Sequence, residues 1–529
     1  MKKTYFSRKY YEDILQKRVN GLKENYRQNI ALVGDELVGK TSIIFNFLDK
    51  FQDNLIIPLY LDVRPESAVS FSKRFIGVLL YNFLGNSDIE LKEDLDFLVS
   101  KSARYIPKTC EKIKSILNDL SKRKKKNIFT ELNALCELIH LETGKYCVVI
   151  FDEFQNLEGI GFTGLYRDWS KLLITNKNTM YIIASSLKFK ARNILSKNLS
   201  LLFGNFEVVE VKPFNIGMSM EFLKNKLSGI PLAAPLIDFI VYFSGGYPMY
   251  LEVIANALLK KEGRPLSEIL EGELFDSTGI LNQRFSSYVK SFLDHPYSND
   301  YISILYLISS GRNRVKDISH LLRIQKSKLV SRINHLLEID TINRSADFLQ
   351  INDRVFSFWM KFVYQGKLHS LTFDAKNQKA KFRDSIEGMI QEFILQAQKP
   401  LMERMSELLG SFEDEMIQMG KGKVRLNHLR EIKPLQFHSR LLKNGLIGRS
   451  TDSLWIVAVK QDSLTEEDVV DFSRECRRYR HKLQRKVIVT LKDIDVNTRL
   501  RALEEKIWTW DINSLNQILD LYSKPKVIA

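Results

Sequence analysis

The stretch NIALVGDELVGKTSIIFNFLDKF, residues 29–51, runs from an apolar segment through a glycine turn into a helical pattern. Inside it, GDELVGKTS (34–42) satisfies the spacing GxxxxGK[ST]. Between a strand and a helix, such a loop points successive backbone N–H groups and a helix N-terminus at one place, an anion-binding concavity. Gly34 and Gly39 frame the loop, and Lys40 would reach the β- and γ-phosphates of ATP. The hydroxyl of Thr41, followed by Ser42, would face a Mg²⁺ ion. The alternative is a glycine-rich turn that binds nothing, and the flanking strand and helix patterns speak against it. Asp35 and Glu36 are unexpected beside a polyanion. Main-chain donors, one lysine and a metal do the holding, so these side chains can project outward, either lowering affinity or meeting a basic partner.

Working outward, LIIPLYLDV (55–63), KYCVVIFDE (145–153), TMYIIASS (179–186) and FEVVEV (206–211) read as strands, with a helical insertion over about 68–143. Strands alternating with helices predict an α/β domain with a parallel sheet over residues 1–214. The run VVIFDE delivers Asp152 to the end of the sheet, where its carboxylate can enter the Mg²⁺ shell. Glu153 is then placed to polarise an attacking water as general base. Ser185 and Ser186, past the next strand, are candidates for contacting the γ-phosphate or orienting water. Small polar residues are also common after strands for no chemical reason.

After Pro213 the strand signal fades. Residues 215–292 read as helices around the turn SGGYP (244–248). YISILYLISSG, VKDISHLLR and KSKLVSRINHLLEI follow between 301 and 339 as three short amphipathic helices. TINRSADFLQIND then reads as a polar hairpin, and together they suit a winged helix-turn-helix over 293–368. Leu329, Ile333, Leu336 and Leu337 make a core stripe. Lys326, Lys328 and Arg332 lie off it, near the end that would enter a major groove of DNA, and Arg344 sits in the wing. The same module would serve equally as a protein-interaction or lid-docking element.

Beyond about 370 the pattern is α/β again. LWIVAVK (454–460), KVIVTLKD (486–493) and IWTWD (507–511) are separated by helices around 467–483 and 497–506. In EEDVVDFSRECRRYRHKL, Val469, Phe472, Cys476, Tyr479 and Leu483 recur at spacings of 3 and 4, which predicts one buried helical face. Arg474, Arg477, Arg478, Arg480 and Lys482 fill much of the rest, as a solvated face or a phosphate-contacting one. The run SKRKKKN (121–127) reads as a loop.

The totals agree with a multidomain protein. At 529 residues, roughly three or four domains are expected. A composition 44% hydrophobic and 27% charged is that of an ordinary globular chain. Lys and Arg outnumber Asp and Glu by 79 to 63, giving +16, a balance compatible with nucleic acid or another anionic partner. Cys110, Cys136, Cys147 and Cys476 lack metal-ligand spacing and suit burial in a reducing compartment. With neither a signal-peptide pattern nor an apolar run of membrane-spanning length, the expectation is a cytoplasmic protein without membrane contact.

FDEFQNL, YIIASS, LLFGNFEVVEVKPFN, SGGYP and INDRVFSFWMKFV resemble the archaeal-type ATPases of the STAND group, relatives of AAA+ proteins, over about residues 20–365. The resemblance implies a P-loop NTPase domain, a helical lid, a winged helix and often a nuclease-like C-terminal fold. Lys40, Thr41, Asp152 and Glu153 then occupy its Walker positions, and Gln155 matches the polar residue of its DEFQ stretch. Where the family often has Pro-Arg, this chain has Asp35-Glu36. Where the family often has an arginine after the LFG glycine, this chain has Asn205. An arginine finger can be worth ~10³–10⁵ in rate, so slow hydrolysis follows, or a finger supplied by Arg192 or by another protomer of a homo-oligomer. The segment 369–529 resembles a restriction-endonuclease-like core, whose Glu-x-Lys would here be Ala458-Val459-Lys460. Its metal-binding glutamate is missing, and only Asp452 or Glu387 stands to compensate. An inactive domain is expected.

Overall fold

Strand β1 (Asn29–Val33) is buried along its whole length at the heart of the first sheet. The computed structural model describes residues 6–85, 91–122, 127–199, 205–261, 263–364, 366, 375–420, 422–439, 442–451, 453–479 and 483–528. In it, β1 joins β2 (Ile56–Asp62), β3 (Tyr146–Asp152), β4 (Thr179–Ser185) and β5 (Phe206–Glu210) in a parallel sheet ordered β2-β3-β4-β1-β5. The apolar runs of β1, β3 and β4 reflect cover on both faces, as parallel sheets require. Because β4 lies between β1 and β3, Val33 pairs with Ser185, and Asp152 ends the neighbouring strand. Three strand ends thus meet under the loop that follows β1. This is a P-loop NTPase fold.

Helices Ala68–Leu84, Leu95–Ser102, Pro107–Ser121 and Ile128–Thr143 fill the segment between β2 and β3. Their apolar faces join Phe151, Trp169 and Tyr181 in one core. Of the Lys-rich run, residues 123–126 lie outside the described residues. The four cysteines are buried and free. Among the described residues no helix is long and apolar enough to cross a membrane.

The chain divides into two compact units. Met1–Phe214 forms the first, with Tyr247–Met249 and Glu338–Asp340; the remainder forms the second. In the second unit, helix Ala234–Ser244 ends on Gly245 (φ 62°) and Gly246 (φ 77°), two left-handed positions that explain the SGGYP turn. Helices Ser298–Ser309, Val315–Leu322 and Lys326–Glu338 lead to a hairpin of β6 (Ile342–Ser345) and β7 (Phe348–Ile351). Past helices Ala375–Gln398 and Leu401–Leu409 comes a second hairpin, β8 (Glu415–Met419) and β9 (Gly422–Leu426).

The last sheet runs β10 (Glu431–Gln436), β11 (Asn444–Arg449), β12 (Leu454–Lys460), β13 (Leu483–Thr490) and β14 (Trp508–Trp510), in that spatial order. Its first three strands are antiparallel and the last three parallel. Trp455 and Val457 of β12 enter one apolar cluster, and Ile456 and Ala458 the other, the period-2 signature of a sheet covered on both sides.

The helix expected over 467–483 stops at Cys476; a 3₁₀ turn, Arg477–Tyr479, follows, and Leu483 already opens β13. Tyr479 and Leu483 still pack on the cluster of Val469, Phe472 and Cys476, so the apolar spacing outlived the helix that suggested it.

Candidate nucleotide site

Gly34 is required by packing. A Cβ there would lie 2.2 Å from the carbonyl oxygen of Val211, just past β5. Gly39 has φ 92° and caps helix Lys40–Lys50, which buries Ile43, Ile44 and Phe47. Between them the loop closes on Lys40, whose Nζ donates to the carbonyls of Gly34 (3.0 Å) and Asp35 (2.8 Å). Lys40 is 5% exposed. Burial pushes its pKa down, against the opposing pull of Glu153, Asp152, Asp35 and Glu36. An ammonium held only by neutral carbonyls is under-compensated, and an anion entering the loop relieves that. Ser42 is exposed on the first turn of the helix.

Across the loop, Thr41 Oγ1 donates to Asp152 Oδ2 at 2.6 Å, and Tyr60 OH donates to the same oxygen at 3.0 Å. Asp152 is 2% exposed, and burial raises its pKa although Thr41 and Tyr60 pull it down. A hydroxyl and a buried carboxylate in contact are the oxygen donors a hard divalent cation takes. The residues present therefore fit Mg²⁺.

Glu153 follows in a left-handed conformation, φ 53°. Its Oε2 accepts from Gln155 Nε2 (2.6 Å), Ser186 N (3.1 Å) and Ser186 Oγ (2.7 Å). Of the two serines, Ser186 therefore engages the acid. Ser185 is fully buried, and its hydroxyl bonds the backbone of Leu187. Its carbonyl receives the Gly34 N–H at 3.2 Å, tying β4 to the start of the loop. Asp35 has met a basic partner, Lys188, at 2.6 Å.

One contributor escaped the sequence reading. Arg8, 6% exposed, donates to the carbonyls of Val38 in the loop (2.8 Å) and Lys212 beyond β5 (2.5 Å). Its guanidinium stacks over Tyr11 and Phe214 at 4.6 and 5.3 Å. The segment carrying it reads as merely basic, and the only hint was an arginine set among aromatics. Arg192, the alternative finger, lies 3.5 Å from Glu210 and is exposed. Residues 201–204 lie outside the described residues.

The candidate DNA residues fare unequally. Lys326, Lys328 and Arg344 are exposed. Arg332 is not displayed: its Nε lies 3.2 Å from Asp300, its guanidinium covers Tyr297, and its side chain is 12% exposed. Leu329, Ile333 and Leu336 are buried as expected, with Leu337 half-buried. Beside the wing, Asp347 Oδ2 accepts from Met416 N (2.9 Å) and Ser345 Oγ from Gln418 N (3.0 Å), so β6 and its turn rest on β8. Arg477 is exposed; Arg478 is exposed too but engages Glu475 (3.3 Å) and His438 (2.6 Å). Arg480 and Lys482 lie outside the described residues.

In the C-terminal sheet, Lys460 is spent on Asp468, at 2.5 Å, within the capping box of helix Glu466–Cys476. Glu387 accepts from Ser267 Oγ at 2.9 Å, and Asp452 lies outside the described residues. No group of three His, Cys, Asp or Glu placed to hold a metal occurs among the described residues.

No family model matches the chain, and no curated protein does. Solved structures with a similar fold include the Walker-type ATPase PABY2304 of Pyrococcus abyssi, 21% identical over 68% of this chain and 97% of that one, with a TM-score of 0.48. The ORC2 protein of Aeropyrum pernix, in ADPNP–ADP complexes, is 9% identical over 74% and 98%, TM-score 0.40. The STAND protein PH0952 of Pyrococcus horikoshii, with its tetratricopeptide repeat sensor, is 13% identical over 77% and 51%, TM-score 0.27.

Proposed function

We propose that this chain binds ATP with Mg²⁺ in the loop after β1, hydrolyses it, and acts as a switch whose nucleotide state governs a basic surface offered to DNA. The observation that carries the reading is the meeting of Lys40, Thr41, Asp152 and Glu153 where β1, β4 and β3 end, with burial pushing both Lys40 and Asp152 toward their neutral forms. Lys40 and the loop amides grip the β- and γ-phosphates. Thr41 and Asp152 would hold Mg²⁺, which would supply positive charge to the phosphate oxygens. Glu153 takes the proton of the attacking water. Ser186 and Gln155 hold its Oε2, which leaves Oε1 to take that proton. Residues 215–292 serve as the lid, 293–368 as a winged helix, and 369–529 as a restriction-endonuclease-like domain without cutting activity.

A second reading, a protein-assembly switch that never meets nucleic acid, draws on a specific observation. Arg332 is consumed internally, and the wing turn rests on β8, which leaves less surface for a groove. One experiment addresses both: Mg-ATP binding and turnover, with and without DNA, for wild type, Lys40→Ala and the charge reversal Lys326→Glu/Lys328→Glu. Binding lost in Lys40→Ala supports the nucleotide site. Salt-dependent DNA retention that falls in the charge reversal favours the first reading. Absence of DNA retention by the wild type even at low salt favours the second.

A further inference from the structure

Four acids surround the site, Asp35 and Glu36 in the loop and Asp152 and Glu153 at the end of β3. Asp35, Glu36, Asp152 and Glu153 all act on the Lys40 ammonium. At the position where an arginine was expected stands Asn205, whose side chain donates to Leu199 O and whose carbonyl receives Asn29 Nδ2. A doubly anionic terminal phosphate entering such a place calls for a further cation.

Lys188 stands close enough to the loop to supply one. It lies three residues beyond Ser185, on the segment that leaves β4, and β4 ends between the loop and the acidic pair. Its Nζ lies 2.6 Å from Asp35 Oδ1, while Lys40 Nζ lies 2.8 Å from the backbone oxygen of the same Asp35. The two ammonium groups therefore converge on one loop residue, one on its main chain and one on its carboxylate. The next residue but one before Lys188, Ser186, bonds Glu153. The segment thus touches both the loop acid and the assigned base.

The side chains of Lys188 and Asp35 are 22% and 21% exposed. Lys188 is also acted on by Asp340, and charge-assisted bonds from lysine to phosphate oxygens in a shielded site are among the stronger contacts available. Phosphate oxygens can therefore compete with the Asp35 carboxylate for Lys188. We propose that Lys188 is the second cation of the triphosphate site and that Asp35 is its resting counter-ion, surrendered when the terminal phosphate enters. This rests on the nucleotide reading above and adds a residue that distinguishes triphosphate from diphosphate. Asp35, in that arrangement, keeps Lys188 from holding diphosphate.

The test is calorimetric titration of Mg-ADP and of a non-hydrolysable Mg-ATP analogue into wild type, Lys188→Met, Lys188→Arg, Asp35→Asn and the double variant Asp35→Asn/Lys188→Met. Thermal melts without nucleotide establish that each variant is folded. Lys188→Met is expected to weaken the triphosphate by about tenfold and leave the diphosphate within about twofold. Lys188→Arg keeps the preference, Asp35→Asn tightens the triphosphate, and the double variant shows no preference. If instead the double variant recovers wild-type preference, the pair is a static neutralising contact and the proposal is overturned. Equal losses of both nucleotides in Lys188→Met overturn it too. Wild-type protein that binds neither nucleotide removes the site itself, a failure distinguishable because it precedes any substitution.

Discussion

Two oppositely charged pairs, one in each unit, are shifted in opposite senses. In the first unit, burial lowers the pKa of Lys40 and raises that of Asp152; each is pushed toward its neutral form. In the second unit, burial acts likewise on Arg354 and Asp520 but is outweighed by their pairing, so Arg354 is raised and Asp520 lowered, the latter with help from Lys526. Arg354 also covers Tyr242 at 4.3 Å, and Lys526 reaches Asp520 at 3.0 Å. Arg383 and Lys379 close on Glu271 in the same self-contained way. Charges that complete each other hold a structure together. Charges whose burial outweighs their pairing, as for Lys40 and Asp152 beneath the loop after β1, are suited to a charge from outside.

Substitutions can break that contrast. The largest effect is expected from Glu153→Gln, which removes the base but keeps the acceptor for Ser186 and Gln155. Phosphate release should fall by about 10³-fold while Mg-ATP binding persists; unchanged release would move the base elsewhere. Next, Asp520→Asn should cost the second unit about 3 kcal/mol in denaturant melts with nucleotide affinity intact. Its sign with pH is fixed. Asp520 is depressed in the folded state, so its contribution is present above the ordinary Asp range and is lost as pH falls through the folded value. The gap between wild type and variant should therefore close in acid.

Two smaller effects sharpen the comparison. Arg332→Ala should lower stability by about 1 kcal/mol through loss of Asp300 and Tyr297, a change visible in melts without DNA. A variant that melts like wild type yet loses DNA would return Arg332 to the interface. Asp152→Asn should do the reverse of Asp520→Asn: the nucleotide-free protein should melt slightly higher, since a buried charge is removed, while its Mg-dependent stabilisation by nucleotide disappears. A lower melting point would mean that Thr41 and Tyr60 already compensate the carboxylate fully.

Much of the first unit was legible because parallel strands covered on both faces must be apolar throughout, and runs such as CVVIFD have no other convincing use. The loop was legible because its function restricts residue types at fixed spacing. Strands β8 to β11 were not. EIKPLQ forms an edge strand in which Pro434 is tolerated, and NGLIGR carries two glycines, so neither shows alternation strong enough to read. The choice between Ser185 and Ser186 depended on where β4 ends, a one-residue matter that reverses which side chain faces Glu153. Arg8 was hidden for another reason. Its partners are carbonyls 30 and 204 residues away, and a main-chain oxygen leaves no mark in composition.

That arginine bears on how the protein can be trimmed. A fragment opening at Asn29 would retain every strand and each motif residue, and by pattern would look whole. It would nevertheless lack the clamp joining Val38 to Lys212, along with the ring of Tyr11, whose hydroxyl bonds the Glu210 carbonyl at 3.2 Å. Loop and edge strand would be free to drift apart, and a shortened version would show feeble ligand uptake for reasons lying wholly outside the motif.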